Sequence, residues 1–373
     1  YSVPISITQS RSKQVDTNVL RSRSKVFGSI NLSTLSLTMP GSIKDDKYTV
    51  DIKAEAKHQM HTLHDGLIWT VSCNKSGTLL ATGGRDGKIN IWELKGGFIT
   101  SKTPKLTFNE HKAEVLCSIF VSSTIIVSSS SDNTLIAWDA QSGKLVNKIV
   151  LEDCCLAVHA VEVEDTVMVG LLNGDVYFWN WKTNNKTFLY SLKRGVTTIE
   201  HLQTPSDETM YFIGTIDGTM CVLYDVDKNK LALVRTISSR DNDSFITHIV
   251  VHPTEPLLYV TYSNNRILVY SSMILGSADP IASFRGMTTN CQVIHPIIHP
   301  TGRLVLIGSS NGGVYAFPFF PITGPKKPVV TGCKTPLFVS QNVNVVHMVN
   351  IPLTSNIILI DQNGDAATFT VSV

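Results

Sequence analysis

The sequence predicts an all-β chain made of seven repeated four-stranded sheets, and three observations carry that expectation. The run from His64 to Leu94 divides into three β-type stretches, Leu67 to Cys73, Thr78 to Thr82 and Lys88 to Trp92, separated by polar turn clusters at Asn74 to Gly77 and Gly84 to Gly87. Its signature, a tight turn at Asp86-Gly87 with Trp92 six residues on, then recurs. It returns at Asp132-Asn133 with Trp138, Asn173-Gly174 with Trp179, and Asp217-Gly218 with Tyr224 one place late, and again at Asn264-Asn265 with Tyr270, Asn311-Gly312 with Phe317 and Asn363-Gly364 with Phe369. The turns are 46, 41, 44, 47, 47 and 52 residues apart, close to the roughly 40–45 of one propeller blade. One meander cannot bury both of its faces; seven stacked in a ring can. The expectation is a seven-bladed β-propeller of four-stranded antiparallel blades.

Each turn is expected to be a two-residue hairpin of the primed types, whose positive φ is tolerated best by Gly, Asn and Asp. The aromatic residue six places on falls on the next strand and should pack between blades. The last repeat has three strands, near 343–349, Asn356–Ile360 and Ala366–Val371. Its fourth must come from the segment just before His64, roughly Lys57 to Leu63, which would close the ring and remove an open edge. The expected division is therefore a basic, Ser-rich tail over 1–24, an extension packing on the propeller over 25–56, and the propeller over 57–373. Within the extension, Lys25 to Thr38 turns apolar and reads as strand-like, and Gly41 to Lys47 reads as a loop. Pro318 to Pro336 is the longest irregular stretch and accounts for the widest spacing.

Composition narrows the function classes. A chain of 373 residues with 43% hydrophobic content can bury a large core, and a net charge of +2 gives no field that would gather nucleic acid. No apolar run approaches the ~18 residues of a membrane span. The seven cysteines are scattered and mostly within predicted strands, as small buried hydrophobes in a reducing compartment would be. His58, His61 and His64 are spaced by three, but on a strand that spacing does not converge, so no metal and no cofactor are expected.

The repeat pattern resembles the WD40 family over the chain from about residue 55 to the end. That resemblance implies a buried hydrogen-bonded set of His, Ser or Thr, turn Asp and Trp in each regular blade: His64, Thr82, Asp86 and Trp92 in the first, His111, Ser128, Asp132 and Trp138 in the second. Later blades lack the matching His. A catalytic reading of His64 with Asp86 competes with this structural one, which explains the same spacing; the chain is not expected to be an enzyme. Phe284-Arg285-Gly286 is one Arg short of the phosphoinositide-binding motif of some such propellers. Trp138-Asp139-Ala140-Gln141 lacks the Arg that marks ubiquitin-ligase receptors. The His64–Trp69 and Gly77–Thr82 runs, with Asp217–Asp225 and Arg266–Tyr270, are similar to the Rab-effector WD-repeat proteins of recycling endosomes, which implies a small GTPase of the Rab class as a partner.

The function expected is a docking platform for proteins or peptides, a monomer within a larger complex, cytoplasmic or nuclear. Its narrower face should carry the residues just before each turn, among them Arg85, Ser131, Leu172, Ile216, Ser263, Ser310 and Gln362, with Asp65, Lys112 and Arg194 from the loops that begin each blade. Cations beside Leu172 and Ile216 suit a peptide with an acidic residue next to an apolar anchor. The alternative is a membrane-surface module that binds anionic lipid through the basic tail and Lys326-Lys327.

Overall fold

The meander at the start of the repeat array forms antiparallel strands Ile68–Cys73, Leu79–Gly84 and Ile89–Lys95, with Leu106–Phe108 outside them. The structure, a computed structural model, describes residues 35–39, 48–56, 61–161, 163–204, 208–225, 230–238, 244–273, 279–289, 293–318, 329–332, 338–339 and 344–372. Counting blades in chain order, four-stranded sheets follow at Val115–Val150, Cys155–Ser191 and Val196–Ser238. Blade 5 runs Ile246–Val251, Leu257–Tyr262, Arg266–Ser271 and Ala282–Arg285. Blade 6 uses the short pieces Ile297–Ile298 and Phe338–Val339 on either side of Leu304–Gly308 and Gly313–Pro318. Blade 7 holds Val345–Asn350, Asn356–Asp361 and Asp365–Ser372. No helix occurs among the described residues. The first strand of each blade is the inner one. The inner strands of blades 1 to 5 touch in succession, that of blade 6 touches that of blade 7, and that of blade 7 touches that of blade 1.

The strand pattern follows from burial. Second strands such as Leu79–Gly84, Thr166–Leu171 and Leu257–Tyr262 are buried at every residue, so they read as continuous apolar or small runs. Fourth strands such as Lys144–Val150 are exposed or half-buried throughout and mix Lys144, Asn147 and Lys148 with apolar residues. The core is seven hydrophobic clusters, one at each junction between adjacent blades. Trp92, Trp138, Trp179, Tyr270, Phe317 and Phe369 each belong to one. In blade 4 the core position is taken by Leu223, six residues after Asp217, and Tyr224 lies only partly buried beside it. Close approach of blades is set by small residues on second strands. A Cβ on Gly83, Gly170 or Gly214 would lie 2.6, 2.3 or 2.6 Å from the β-branched Val115, Val196 or Ile246 of the next inner strand.

The turns differ from the two-residue expectation. In six of them the left-handed loop residue donates its amide to the carbonyl three residues back, at or one place past the end of the second strand, as Gly87 does to Gly84 at 3.2 Å and Asn133 to Ser130 at 3.1 Å. Positive φ is confined to that position: Gly87 at 74°, Asn133 at 61°, Asn265 at 66°. These are three-residue loops, a type I turn followed by one left-handed residue. The preceding Asp or Asn caps the amide two residues on, as Asp86 does for Lys88 and Asn173 for Asp175.

The N-terminal segment closes the ring over a longer stretch than Lys57 to Leu63. His61–Thr62 pairs with Asp365 and Ala366, and the nine-residue strand Tyr48–Ala56 continues along Phe369–Ser372, with Leu35–Met39 beyond it. A two-residue strand alone would leave most of the Asp365–Ser372 edge unpaired, and the upstream strand covers it. The stretch read as irregular, Pro318 to Pro336, contains the strand Val329–Gly332, which runs parallel to the outer strand of blade 5. The basic tail, Gly41 to Lys47 and Lys326-Lys327 lie outside the described residues.

Candidate functional site

One backbone hydrogen bond recurs around the ring and defines one end of it. In six blades the first loop residue after the second strand donates its amide to a carbonyl just before the inner strand; in blade 6 Ser310, two places past Leu304–Gly308, bonds Thr288, nine residues before Ile297–Ile298. The pairs are Arg85 to Leu67, Ser131 to Glu114, Leu172 to Cys154, Ile216 to Gly195, Ser263 to Phe245, Ser310 to Thr288 and Gln362 to Asn344, all at 2.7–3.0 Å. These seven residues therefore sit at equivalent places at one end, where the loops that open each blade also lie.

Their side chains are not equivalent. Blades 1 to 4 present a continuous arc. Arg85, Lys112, Ser131 and Arg194 are exposed, and Ile216 keeps 47% of its surface. Leu172 and Ile216 meet over Gly195, where an added Cβ would lie 3.0 Å from the Leu172 side chain and 3.2 Å from that of Ile216. Asp65 is exposed on the loop leading into blade 1. Ser263 does not face outward: it is buried, and its Oγ accepts the Phe245 amide. Ser310 turns its hydroxyl onto the Thr288 carbonyl at 2.9 Å, two blades from Ile216, so it does not join the arc.

The two arginines of the arc are already partnered. Arg85 Nε lies 3.2 Å from Glu114, and Arg194 Nε lies 3.3 Å from Asp217 while donating to Thr219 at 2.9 Å. Burial would raise the Asp217 pKa, but bonds from Thr215 and Thr219 and the charge of Arg194 outweigh it and hold the carboxyl low. An incoming acid would have to compete with Glu114 and Asp217, a constraint that spacing alone does not reveal. Trp69 occupies the bulge of the innermost strand of blade 1 and is half-buried.

Beneath this end lie two hydrogen-bonded sets. In blade 1 the Trp92 indole donates to Thr82 Oγ1 at 3.0 Å, Thr82 Oγ1 meets His64 Nε2 at 2.9 Å, and His64 Nδ1 meets the Asp86 carboxylate at 3.1 Å. Burial works to raise the Asp86 pKa; the bond and charge from His64 and the Lys88 amide lower it further than burial lifts it. In blade 2 Trp138 donates to Ser128 Oγ at 2.8 Å, which meets His111 Nε2 at 2.8 Å. His111 Nδ1 turns to Thr134 Oγ1 at 2.9 Å, and Asp132 stands 3.7 Å away, holding Thr134 and the Lys112 amide. Burial pushes His111 down to about 4. Both ring nitrogens of each histidine are engaged by the protein, so neither has a nitrogen left for substrate.

Two features of the structure have no counterpart in the sequence reading. A mostly apolar concavity of about 480 Å³ opens between blades 4 and 5, lined by Met210, Phe212, Met220, Tyr224 and Met273 among others. The inner wall carries His159, Glu200, His201, His248, His295 and His347, which interact with one another across adjacent blades. Aligning the repeats by their turns would bring several of these to matching inner-strand positions. The described thiols are free, and burial pushes Cys117, Cys154 and Cys221 each up to about 11. No helix of the described residues is long and apolar enough to cross a membrane.

Seven four-stranded blades around a closed ring, with buried Trp–Ser/Thr–His sets behind the loops of one end, define a repeat propeller. The WD domain, G-beta repeat family matches residues 57–93 and 102–139, which are the first two repeats, and the chain is a WD40-repeat protein. It is 23% identical to Eukaryotic translation initiation factor 3 subunit I of Bombyx mori, over 54% of this chain and 64% of that protein. It is 32% identical to Periodic tryptophan protein 2 homolog of Caenorhabditis elegans, over 35% of this chain and 14% of the relative. With Methylosome protein WDR77 of Xenopus laevis it shares 24% identity, over 53% and 58%. The chain thus spans less than two thirds of the length of each.

Proposed function

We propose that this propeller is a non-enzymatic platform that docks protein partners on the loop end of blades 1 to 4. The observation that carries the reading is the apolar step of Leu172 and Ile216 beside Arg194, on an arc that continues through Ser131 and Lys112 to Arg85 and Asp65. An exposed Ile216 beside a half-buried Leu172, framed by polar side chains on a rigid scaffold, suits an interface centre with a polar rim. Because Glu114 and Asp217 already hold the two arginines, the apolar pair supplies the anchor, and acidic residues of the partner add orientation. The relatives named as an initiation factor subunit and a methylosome protein support membership of a multiprotein assembly.

A vesicle-trafficking role with a Rab-class GTPase rests on the motif resemblance alone, and the relatives' names do not point to it. The anionic-lipid reading rests on the basic tail and Lys326-Lys327; salt-sensitive sedimentation with anionic vesicles, abolished by deleting residues 1–25, is its test. For the docking reading, affinity capture is run with the intact chain and with Ile216→Asp and Arg85→Glu. Arg85 is more than half exposed and its ion pair contributes little to stability, so its melting temperature should not move. A partner set reduced by both substitutions is the expected result, and capture indifferent to both would overturn the face assignment.

A further inference from the structure

The inner wall of the ring holds a side-chain group that the docking face does not use. His159 stands on the inner strand of blade 3, Cys155–Ala160, and Glu200 and His201 on the inner strand of blade 4, Val196–Gln203. These strands are neighbours around the ring. His159 Nε2 lies 2.6 Å from His201 Nδ1 and 3.8 Å from Glu200 Oε1, and the three atoms all lie within 4.8 Å of one another. Glu200 Oε1 is also turned back toward the His201 amide, 3.4 Å away.

The donor set is two imidazole nitrogens and a carboxylate oxygen, which borderline ions such as Zn²⁺ accept. Bonds of about 2.0–2.1 Å in a tetrahedron put ligand atoms roughly 3.3 Å apart. The His159–Glu200 separation is already near that value, and the two histidines need to part by less than about 1 Å. Ring orientation permits it. An ion must lie in the plane of each imidazole that binds it, and the planes of His159 and His201 cross at 69°. The neighbouring pair His248 and His295 fails this test: their rings stack at 10° with centroids 4.4 Å apart, and near-parallel planes share no such point.

His159 and Glu200 keep 17% and 25% of their side-chain surface. An ion bound between them would replace the proton shared by the two imidazole nitrogens and take up the carboxylate charge. We propose that His159, Glu200 and His201 form a binding site for a late first-row divalent metal ion, best matched by Zn²⁺, which ties the inner strands of blades 3 and 4 and keeps one coordination position open for water.

The test uses the full chain, stripped with a chelator and titrated with Co²⁺ and then Zn²⁺, read by visible absorption and calorimetry. One ion per chain is expected, with the weak visible bands of nitrogen and oxygen ligation, and Zn²⁺ should raise the melting temperature. His159→Gln and His201→Gln should each weaken binding by more than the ~10–100-fold that loss of an outer-shell partner brings. The isosteric Glu200→Gln should weaken it as well, while His295→Gln leaves it unchanged. Absence of saturable binding by the unmodified chain overturns the proposal without reference to any variant. So does binding that survives both histidine substitutions, or intense near-ultraviolet thiolate absorption, which would place the ion on cysteines.

Discussion

Thr82→Val isolates the hydrogen bonds of the first blade from its packing. Valine keeps the shape of threonine and replaces the hydroxyl that joins the Trp92 indole to His64 Nε2. Thr82 is 0% exposed, Trp92 1% and His64 4%, so water does not reach the groups left behind. His64 Nε2 retains the Thr82 carbonyl at 3.2 Å and Asn90 at 3.5 Å. The Trp92 N–H loses its one partner, and leaving such a buried donor unsatisfied costs about 1–3 kcal/mol. With an unfolding entropy of about 2.1 cal/mol/K per residue, a cooperative unit of roughly 300 residues loses about 2 °C in melting temperature per kcal/mol, so a fall of about 2–5 °C is expected. Calorimetry measures it, and Ser128→Ala in blade 2, which removes the equivalent acceptor of Trp138, should act in the same direction. A Thr82→Val protein that melts at the unmodified temperature or above would refute the assignment of stability to this network.

Acid should destabilise the ring. Burial holds His111 and His295 near 4 and His159 and His347 near 3. In the unfolded chain they protonate near their ordinary value of about 6.5. Their contribution is therefore whole above pH 6.5 and is lost as pH falls toward those folded values. Glu200, pushed up to about 8, and Asp361, pushed up to about 6, act oppositely, losing stability as pH rises, but the histidines outnumber them. The melting temperature should fall between pH 7 and 5, less steeply in His295→Gln; a flat profile would contradict the neutral-histidine reading. Ring closure has its own test: deleting residues 1–62 removes every strand that covers Asp365–Ser372, so cooperative melting should be lost, whereas deleting 1–34 should preserve it. A soluble, cooperatively melting chain lacking 1–62 would show that the closing strands are dispensable.

Blade number and strand phasing were readable because each is written within one repeat, and the two hydrogen-bonded sets followed from the WD40 resemblance. A turn Asp or Asn caps an amide two residues on, a buried second strand must be apolar or small throughout, and the core aromatic follows the turn at a fixed distance. Even there, Tyr224 misled, because only the register shows that Leu223 holds the core position. The loop type was missed because two- and three-residue hairpins share the same Asp-Gly and Asn-Gly chemistry and differ in strand register and in the φ of the residue before the Gly or Asn.

The sequence by itself thus determined a seven-bladed all-β ring closed through its N-terminal segment, and its WD40 resemblance implied that Trp92 and Trp138 are tied to Thr82 and Ser128. The tertiary structure alone decided that Tyr48–Ala56 extends that closure, that Arg85 and Arg194 are neutralised by Glu114 and Asp217, and that Ser263 is turned inward. It also brought His159 against Glu200 and His201 from about forty residues away. The division has one physical cause. Turn chemistry and strand burial act over a few residues of chain, whereas charge pairing, edge coverage and ligand convergence depend on which blades meet once the ring has closed.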